Sequence, residues 1–258
     1  MNKKYIYIFL SVIVASAALF VACSSNSSNP VVNTNVPTFS FTVGNSFQFK
    51  QWTVDSTGKK IEDSLKIVHE TFVDSGFTIG GQAANVFVAL DSVFDSTNTH
   101  FILADSAFYT TDGVIINEYG LIASIVNSYD PGVIAVPLKW NILIDAATSS
   151  TWLTDTTTVK TTISSIPITI RDSLNGANAG DTMIIAAGDT LNTVHAHHSG
   201  KITANSTFAS APLSIDMYMS FTPTVMVKFI SAPTSFGNPL LPSLKGLERD
   251  LITISLKK

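Results

Sequence analysis

Three of the five histidines fall in one short stretch, Thr193-Val194-His195-Ala196-His197-His198-Ser199-Gly200. In an extended strand His195 and His197 point to the same side. Two imidazoles on one face can hold Zn²⁺ or Cu²⁺ when a third ligand arrives from elsewhere. A three-residue loop at His198-Ser199-Gly200 pairs Ala196 with Ile202 and Val194 with Ala204, and those four make an apolar face. The same register sets His195 and His197 opposite Thr203 and Lys201. An ammonium group there works against a bound cation, so the stretch reads first as a solvated strand face, with His195 and His197 the only metal candidates and no cofactor expected. His69 and His100 have no partner at motif spacing.

Asp-Ser recurs at Asp55, Asp63, Asp74, Asp91, Asp95, Asp105 and Asp172, and Asp-Thr at Asp155, Asp181 and Asp189. Calcium loops need clustered carboxylates with a glycine at the sharp turn. The nearest stretch, residues 91–98, lacks both that glycine and a closing glutamate. Asp and Ser more simply bond their own backbone and start turns. Serine-nucleophile elbows, zinc-protease helices, phosphate loops and dinucleotide fingerprints are missing from the sequence. The expectation is therefore a protein that is not an enzyme.

The single cysteine, Cys23, follows a basic start at Lys3 and Lys4 and an apolar run over residues 5–22. That is the pattern of a secretory signal, and its length also suits a membrane-spanning helix. Phe20-Val21-Ala22-Cys23 resembles the lipobox of bacterial lipoproteins, in which the cysteine receives a diacylglycerol and the chain is cut just before it. The resemblance implies lipidation at Cys23, acyl anchoring by fatty acids such as palmitate, and residence in the bacterial cell envelope. The outer membrane is the expected site, with the domain in the periplasm or at the cell surface. A thioether also removes the hazard of a free thiol in an oxidising compartment. Two or more acyl chains give a stable anchor where one gives a marginal one.

Residues 1–22 are thus read as the signal, 23–38 as the lipidated cysteine with a Ser/Asn/Pro tether, and 39–258 as one domain. As a flexible coil the tether holds the domain roughly 20 Å from the membrane. Without Lys3 and Lys4, 13 basic residues face 19 acidic ones. Such a surface does not suit nucleic acid, which needs a basic footprint.

From Phe39 onward the sequence alternates apolar and polar residues between turn signals. Phe39, Phe41 and Val43 read as one strand, Gly44-Asn45 as a turn, and Phe47 and Phe49 as the next strand. Further strands are read at residues 64–73, 84–90, 101–110, 136–144, 158–170, 183–187, 193–198, 201–208, 213–221, 224–230 and 251–258. Asp112-Gly113, flanked by FYTT and VIIN, is the sharpest hairpin signal, with positive φ expected at both positions. One short helix is expected near residues 118–128. The fold class that follows is all-β and antiparallel, a curved sheet or half-open barrel, with a β-sandwich as the alternative and few or no helices. Uneven strands, Asp-rich turns and the ending SLKK argue against a membrane-spanning barrel.

The lipobox, the Ser/Asn linker, the G-N-S-F-Q-F strand, Asp112-Gly113, the P-L-K-W segment ending at Trp140, Thr151-Trp152 and the run of C-terminal strands together resemble small uncharacterised bacterial lipoproteins. Some of these are thought to share the curved sheet of periplasmic lipoprotein carriers, whose concave face holds acyl chains. Phe221-Thr222-Pro223 stands where such proteins often carry a Pro-Gly turn. The resemblance implies a tethered protein that takes an apolar or amphiphilic ligand. An envelope module that docks a protein or glycan, and a hydrolase with a cryptic site, are the alternatives.

Overall fold

A computed structural model describes residues 38–120, 138–163, 166–204, 209–235, 237 and 245–257. Pro37–Lys258 form one compact unit. Twelve strands follow in order: β1 (Ser46–Val54), β2 (Lys66–Ile79), β3 (Gln82–Phe94), β4 (Phe101–Thr111), β5 (Ile115–Tyr119), β6 (Trp140–Asp145), β7 (Thr151–Ile163), β8 (Ile166–Ala186), β9 (Asp189–Ala204), β10 (Ala209–Phe221), β11 (Thr224–Ser231) and β12 (Gly246–Ser255). The only helical turn among the described residues is a 3₁₀ turn at Glu62–Ser64.

All twelve strands belong to one antiparallel sheet that nearly closes into a barrel, so the two-sheet sandwich alternative is set aside. The sheet order is β6-β5-β4-β3-β2-β1-β12-β11-β10-β9-β8-β7. This is an up-and-down meander in which the first and last strands pair with each other. The break in the ladder falls in mid-chain, between β6 and β7.

Alternation builds the interior. Phe47 and Phe49 of β1, Val68 and Phe72 of β2, and Val225, Val227 and Phe229 of β11 are all buried. Ala211, Leu213, Ile215, Met217 and Met219 do the same along β10. Burying such side chains is the main stabilising term, about 1.5–3 kcal/mol each.

One end of the barrel carries the β2–β3, β4–β5, β8–β9 and β10–β11 turns. Residues 38–42 cross that end. Phe39 N–H donates to Gly113 O at 2.7 Å, and Ser40 N–H donates to Thr224 Oγ1 at 2.7 Å. The segment therefore bridges the β4–β5 and β10–β11 turns. Its side chains alternate between exposed and buried as expected, but it is a strap and not a strand of the sheet. Phe39 stacks on Phe221 at 4.8 Å and Phe41 on Phe72 at 4.9 Å.

Several expected boundaries shift. The stretch 158–170 is the end of one strand and the start of the next, since Ile163 pairs with Ile166. Residues 193–198 and 201–204 do not form two strands joined by a loop, and residues 205–208 of the second expected strand lie outside the described residues. Residues 189–204 run as the single strand β9. Gly200 is extended within it and sits so close to β8 that an added Cβ would strike the Ser173 carbonyl oxygen. Glycine is needed there for close approach between strands, not for a left-handed turn. The strand still puts Val194, Ala196, Ile202 and Ala204 on one buried face, because all four are even-numbered positions. The Asp112-Gly113 hairpin forms, but of the two only Gly113 has positive φ (98°). Asp112 instead accepts bonds from the N–H groups of Val114 and Ile115 at 2.9 and 2.8 Å. Glu118 and Tyr119, expected to open a helix, close β5; residues 121–128 of that expectation lie outside the described residues.

Candidate functional site

Cys23, the expected lipidation site, lies outside the described residues. His195 and His197 share a face of β9, as expected, but their neighbours differ from the expected ones. Because β9 continues straight, β10 lies beside it, and Tyr218 and Asp216 stand opposite His195 and His197. Lys201 pairs with Pro212 and is not beside the imidazoles. His195 Nε2 and His197 Nδ1 both donate to Asp216 Oδ1, at 2.8 and 2.9 Å. Burial works to raise the Asp216 carboxyl, but the two imidazole bonds outweigh it and hold it below the usual carboxylate range. His195 also stacks on Tyr218, with ring centres 4.2 Å apart. The imidazoles are thus committed to one carboxylate oxygen. Among the described residues no group of three His, Cys, Asp or Glu side chains is placed to hold a metal ion.

The same polar face continues across β11 and β12. Lys228 pairs with Glu248 at 2.9 Å and Asp250 at 3.5 Å, and Lys60 pairs with both carboxylates at 3.1 Å. Lys60 also lies 3.8 Å over the Trp52 ring. Partly exposed pairs of this kind contribute little stability singly. They give the outer wall a fixed pattern of charge beside an aromatic ring.

The inside of the barrel holds a second polar group that sequence reasoning missed. Glu70 and Asp91 stand opposite each other on β2 and β3, and Glu118 stands opposite Tyr109 on β5 and β4. Arg249 of β12 reaches in among them. Its Nε donates to Gln51 Oε1 at 3.1 Å, and both terminal nitrogens approach Asp91 Oδ2 at 3.4 Å. Burial, then the charge of Asp91, drives the Glu70 carboxyl up to about 8. Burial raises Glu118 to about 8 as well, against the pull of Arg249. Both therefore carry a proton at neutral pH. Glu70 and Glu118 are 6% and 7% exposed, so they are not open to a substrate. Asp91, read from sequence as a turn former, is part of this group; its Asp-Ser dipeptide held no signal to distinguish it. The turn reading does hold for Asp55 and Asp95, whose Oδ1 atoms each accept bonds from residues two to five positions on.

A third group fastens the mid-chain break. Asn141 Nδ2 donates to Thr154 O at 3.1 Å, Lys139 Nζ to Thr156 O at 2.7 Å, and Trp152 Nε1 to Ile142 O at 3.4 Å. Lys139 is also ion-paired with the buried Asp155. Asp172, close to Asp155 on the neighbouring strand, is pushed up to about 7 by burial and by that carboxylate. His198 is fully buried between Thr154 Oγ1 and Leu143 O, each 2.9 Å from a ring nitrogen. A carbonyl oxygen can only accept, so Nε2 carries the hydrogen and Nδ1 accepts from Thr154. Side chains thus replace a backbone ladder along this seam.

A cleft of about 620 Å³ opens at the strapped end, between the β8–β9 hairpin and the β10–β11 turn. Asp181, Thr182, Met183, Asn192 and Phe221 are among its lining residues.

A nearly closed, single-sheet antiparallel barrel is the class this chain falls in. No family model and no curated protein matches the sequence. Among solved structures, the chain is similar to a "putative lipoprotein" from Parabacteroides distasonis, with a TM-score of 0.52 and 8% identity over 84% of this chain and 97% of that one. It is also similar to a "putative exported protein with YmcC-like fold" from Bacteroides fragilis, with a TM-score of 0.48 and 10% identity over 85% of this chain and 99% of that one. At such identity the likeness is one of fold.

Proposed function

We propose that this is a bacterial envelope lipoprotein, held to a membrane through a lipidated Cys23, whose barrel acts as a non-enzymatic docking module for a protein or glycan of the envelope. The anchoring rests on the lipobox resemblance, and the outer membrane is the expected site. The docking role rests on one observation: a continuous cluster of the barrel's own side chains occupies much of its interior. Phe39 and Phe41 plug the strapped end, and Arg249 with its carboxyl partners occupies the middle. Recognition then falls to the outer surface. The wall around His195, Asp216, Tyr218 and Trp52 offers aromatic faces beside hydrogen-bonding groups, the chemistry that glycans and polar protein surfaces take.

The amphiphile-binding reading comes second. Leu103 and Asp105 stand on the same face of β4 as the buried Tyr109, yet both are exposed, Leu103 by 45%. This part of β4 lies beyond its ladder with β5, which ends at Tyr109. The inner surface there is less fully covered than the rest.

Native mass spectrometry on residues 24–258, purified gently, separates the two readings. A bare, monodisperse chain is expected. A reproducible extra mass that organic solvent removes, with lipid-like fragments, would overturn the docking reading in favour of a carrier. A mass that a chelator removes would return His195 and His197 to the role of metal ligands.

A further inference from the structure

The β8–β9 hairpin runs beyond its neighbours. The ladder with β10 ends at Ser220 and Thr193, while β8 and β9 stay paired to Ala186 and Asp189. One face of this extension, with Ile184, Ala186 and Leu191, packs on the core. The other presents Met183 and Ile185, which are 71% and 80% exposed. Among the described residues they are the two most exposed large apolar side chains. Phe77, 46% exposed, stands on the β2–β3 hairpin, whose turn lies at the same end.

This is also the end where the chain enters the barrel. Phe39 is bonded to Gly113 and stacked on Phe221, the last residue of β10. Thr38 is therefore held at this end, beside Gly113 of the β4–β5 turn. Fifteen residue steps separate it from Cys23, and they can span at most about 54 Å. A lipid at Cys23 would thus tether the barrel by this end and not by the opposite one. Residues 181–194 include no lysine or arginine but two aspartates, Asp181 and Asp189. A neutral, zwitterionic headgroup layer suits such a tip, and an anionic one does not.

We propose that the tip of the β8–β9 hairpin, through Met183 and Ile185, is a membrane contact that seats the tethered barrel strap-end down on a zwitterionic lipid surface. The proposal rests on the anchoring reading above. Apolar side chains at the headgroup boundary add a second attachment to the acyl chains and restrict the barrel's orientation.

The lone cysteine makes the test clean. Once Cys23 carries lipid, an introduced cysteine is the only free thiol. Lipidated mature protein carrying Ile185→Cys, and separately Ser96→Cys at the β3–β4 turn of the opposite end, is labelled with an environment-sensitive dye. Each is then reconstituted in phosphatidylcholine vesicles. Intact mass first reports whether Cys23 is lipidated, and an unmodified Cys23 counts against the anchoring reading itself. With lipidation present, the dye at position 185 is expected to shift to shorter wavelength, gain intensity and be quenched by spin labels on the lipid chains, while the dye at position 96 stays as in water. Equal, water-like emission at both positions overturns the proposal. A shift at position 185 that appears without vesicles and grows with protein concentration also overturns it, by assigning the tip to a second copy of the chain.

Discussion

His198 on β9 donates through Nε2 to the Leu143 carbonyl oxygen on β6, 2.9 Å away, across the break in the sheet between β6 and β7. Its other nitrogen accepts from Thr154 on β7. One side chain therefore ties together three strands at the place where the backbone ladder stops.

That position makes stability depend on pH. Burial holds the His198 imidazole down to about 4, against the bond to Leu143 that favours its charged form; the His197 and Asp216 charges make opposing, smaller contributions. In the unfolded chain its pKa is about 6.5. Between those values the unfolded state takes up a proton that the folded state refuses. The sign follows: this contribution is fully present above pH 6.5 and is lost as pH falls toward 4, by at most about 3 kcal/mol. The buried carboxyls titrate alike in parent and variant, so the contribution reads out as a difference: the gap between parent and His198→Gln in urea titrations is expected to be about 1–3 kcal/mol at pH 7.5 and to narrow at pH 5. An unchanged pH profile in the variant would sink the assignment.

Glu118 works in the opposite direction. Its folded carboxyl titrates near 8, raised from 4.5 by burial. The folded state keeps a proton that the unfolded state releases above pH 4.5, so this contribution falls as pH rises from 4.5 through 8. Glu118→Gln keeps the shape and cannot ionise. It is expected to raise the denaturation midpoint at pH 9 relative to the parent and to change it little at pH 5, as measured by urea titration followed by circular dichroism.

Arg249 and Asp91 form a largely buried pair, 20% and 15% exposed, whose members depend on each other. Removing one leaves an uncompensated charge, at a cost of about 3–5 kcal/mol, while replacing both with apolar residues costs far less. Arg249→Leu alone is expected to unfold at a much lower temperature than the Arg249→Leu/Asp91→Leu double variant. A double variant no more stable than the single one would show that the two do not act as a pair.

Gly200 tests the course of β9. A methyl group there meets the Ser173 carbonyl oxygen and the Leu174 Cα. Gly200→Ala is expected to cost about 1–3 kcal/mol, as overpacking does. Ser199→Ala, next to it and exposed, is expected to fall within about 0.5 kcal/mol of the parent. If Gly200 sat in an open loop, the two variants would unfold at the same temperature.

Local pattern carried much of this protein. Alternation at Phe47 and Phe49 and along β10 and β11, with turns at Asp112-Gly113 and near Gly44-Asn45, was enough to read an all-β antiparallel chain, because a strand's two-residue period is written directly in side-chain polarity. The same period placed His195 and His197 on one face. It could not say what lies beside that face. Whether Ser199-Gly200 turns or runs on is decided by the backbone of β8 pressing on Gly200, a contact 27 residues away in sequence at Ser173. For the same reason Asp91 and Asp95 look alike in sequence and differ in the fold: Asp95 bonds its own loop, while Asp91 meets Arg249 from the far end of the chain. The pairing of β1 with β12, the bond from His198 to Leu143 across the β6–β7 break, and the strap that buries Phe39 and Phe41 all join segments far apart in sequence. Which distant groups a barrel brings together depends on register and closure around the whole sheet, and only the tertiary structure decided those.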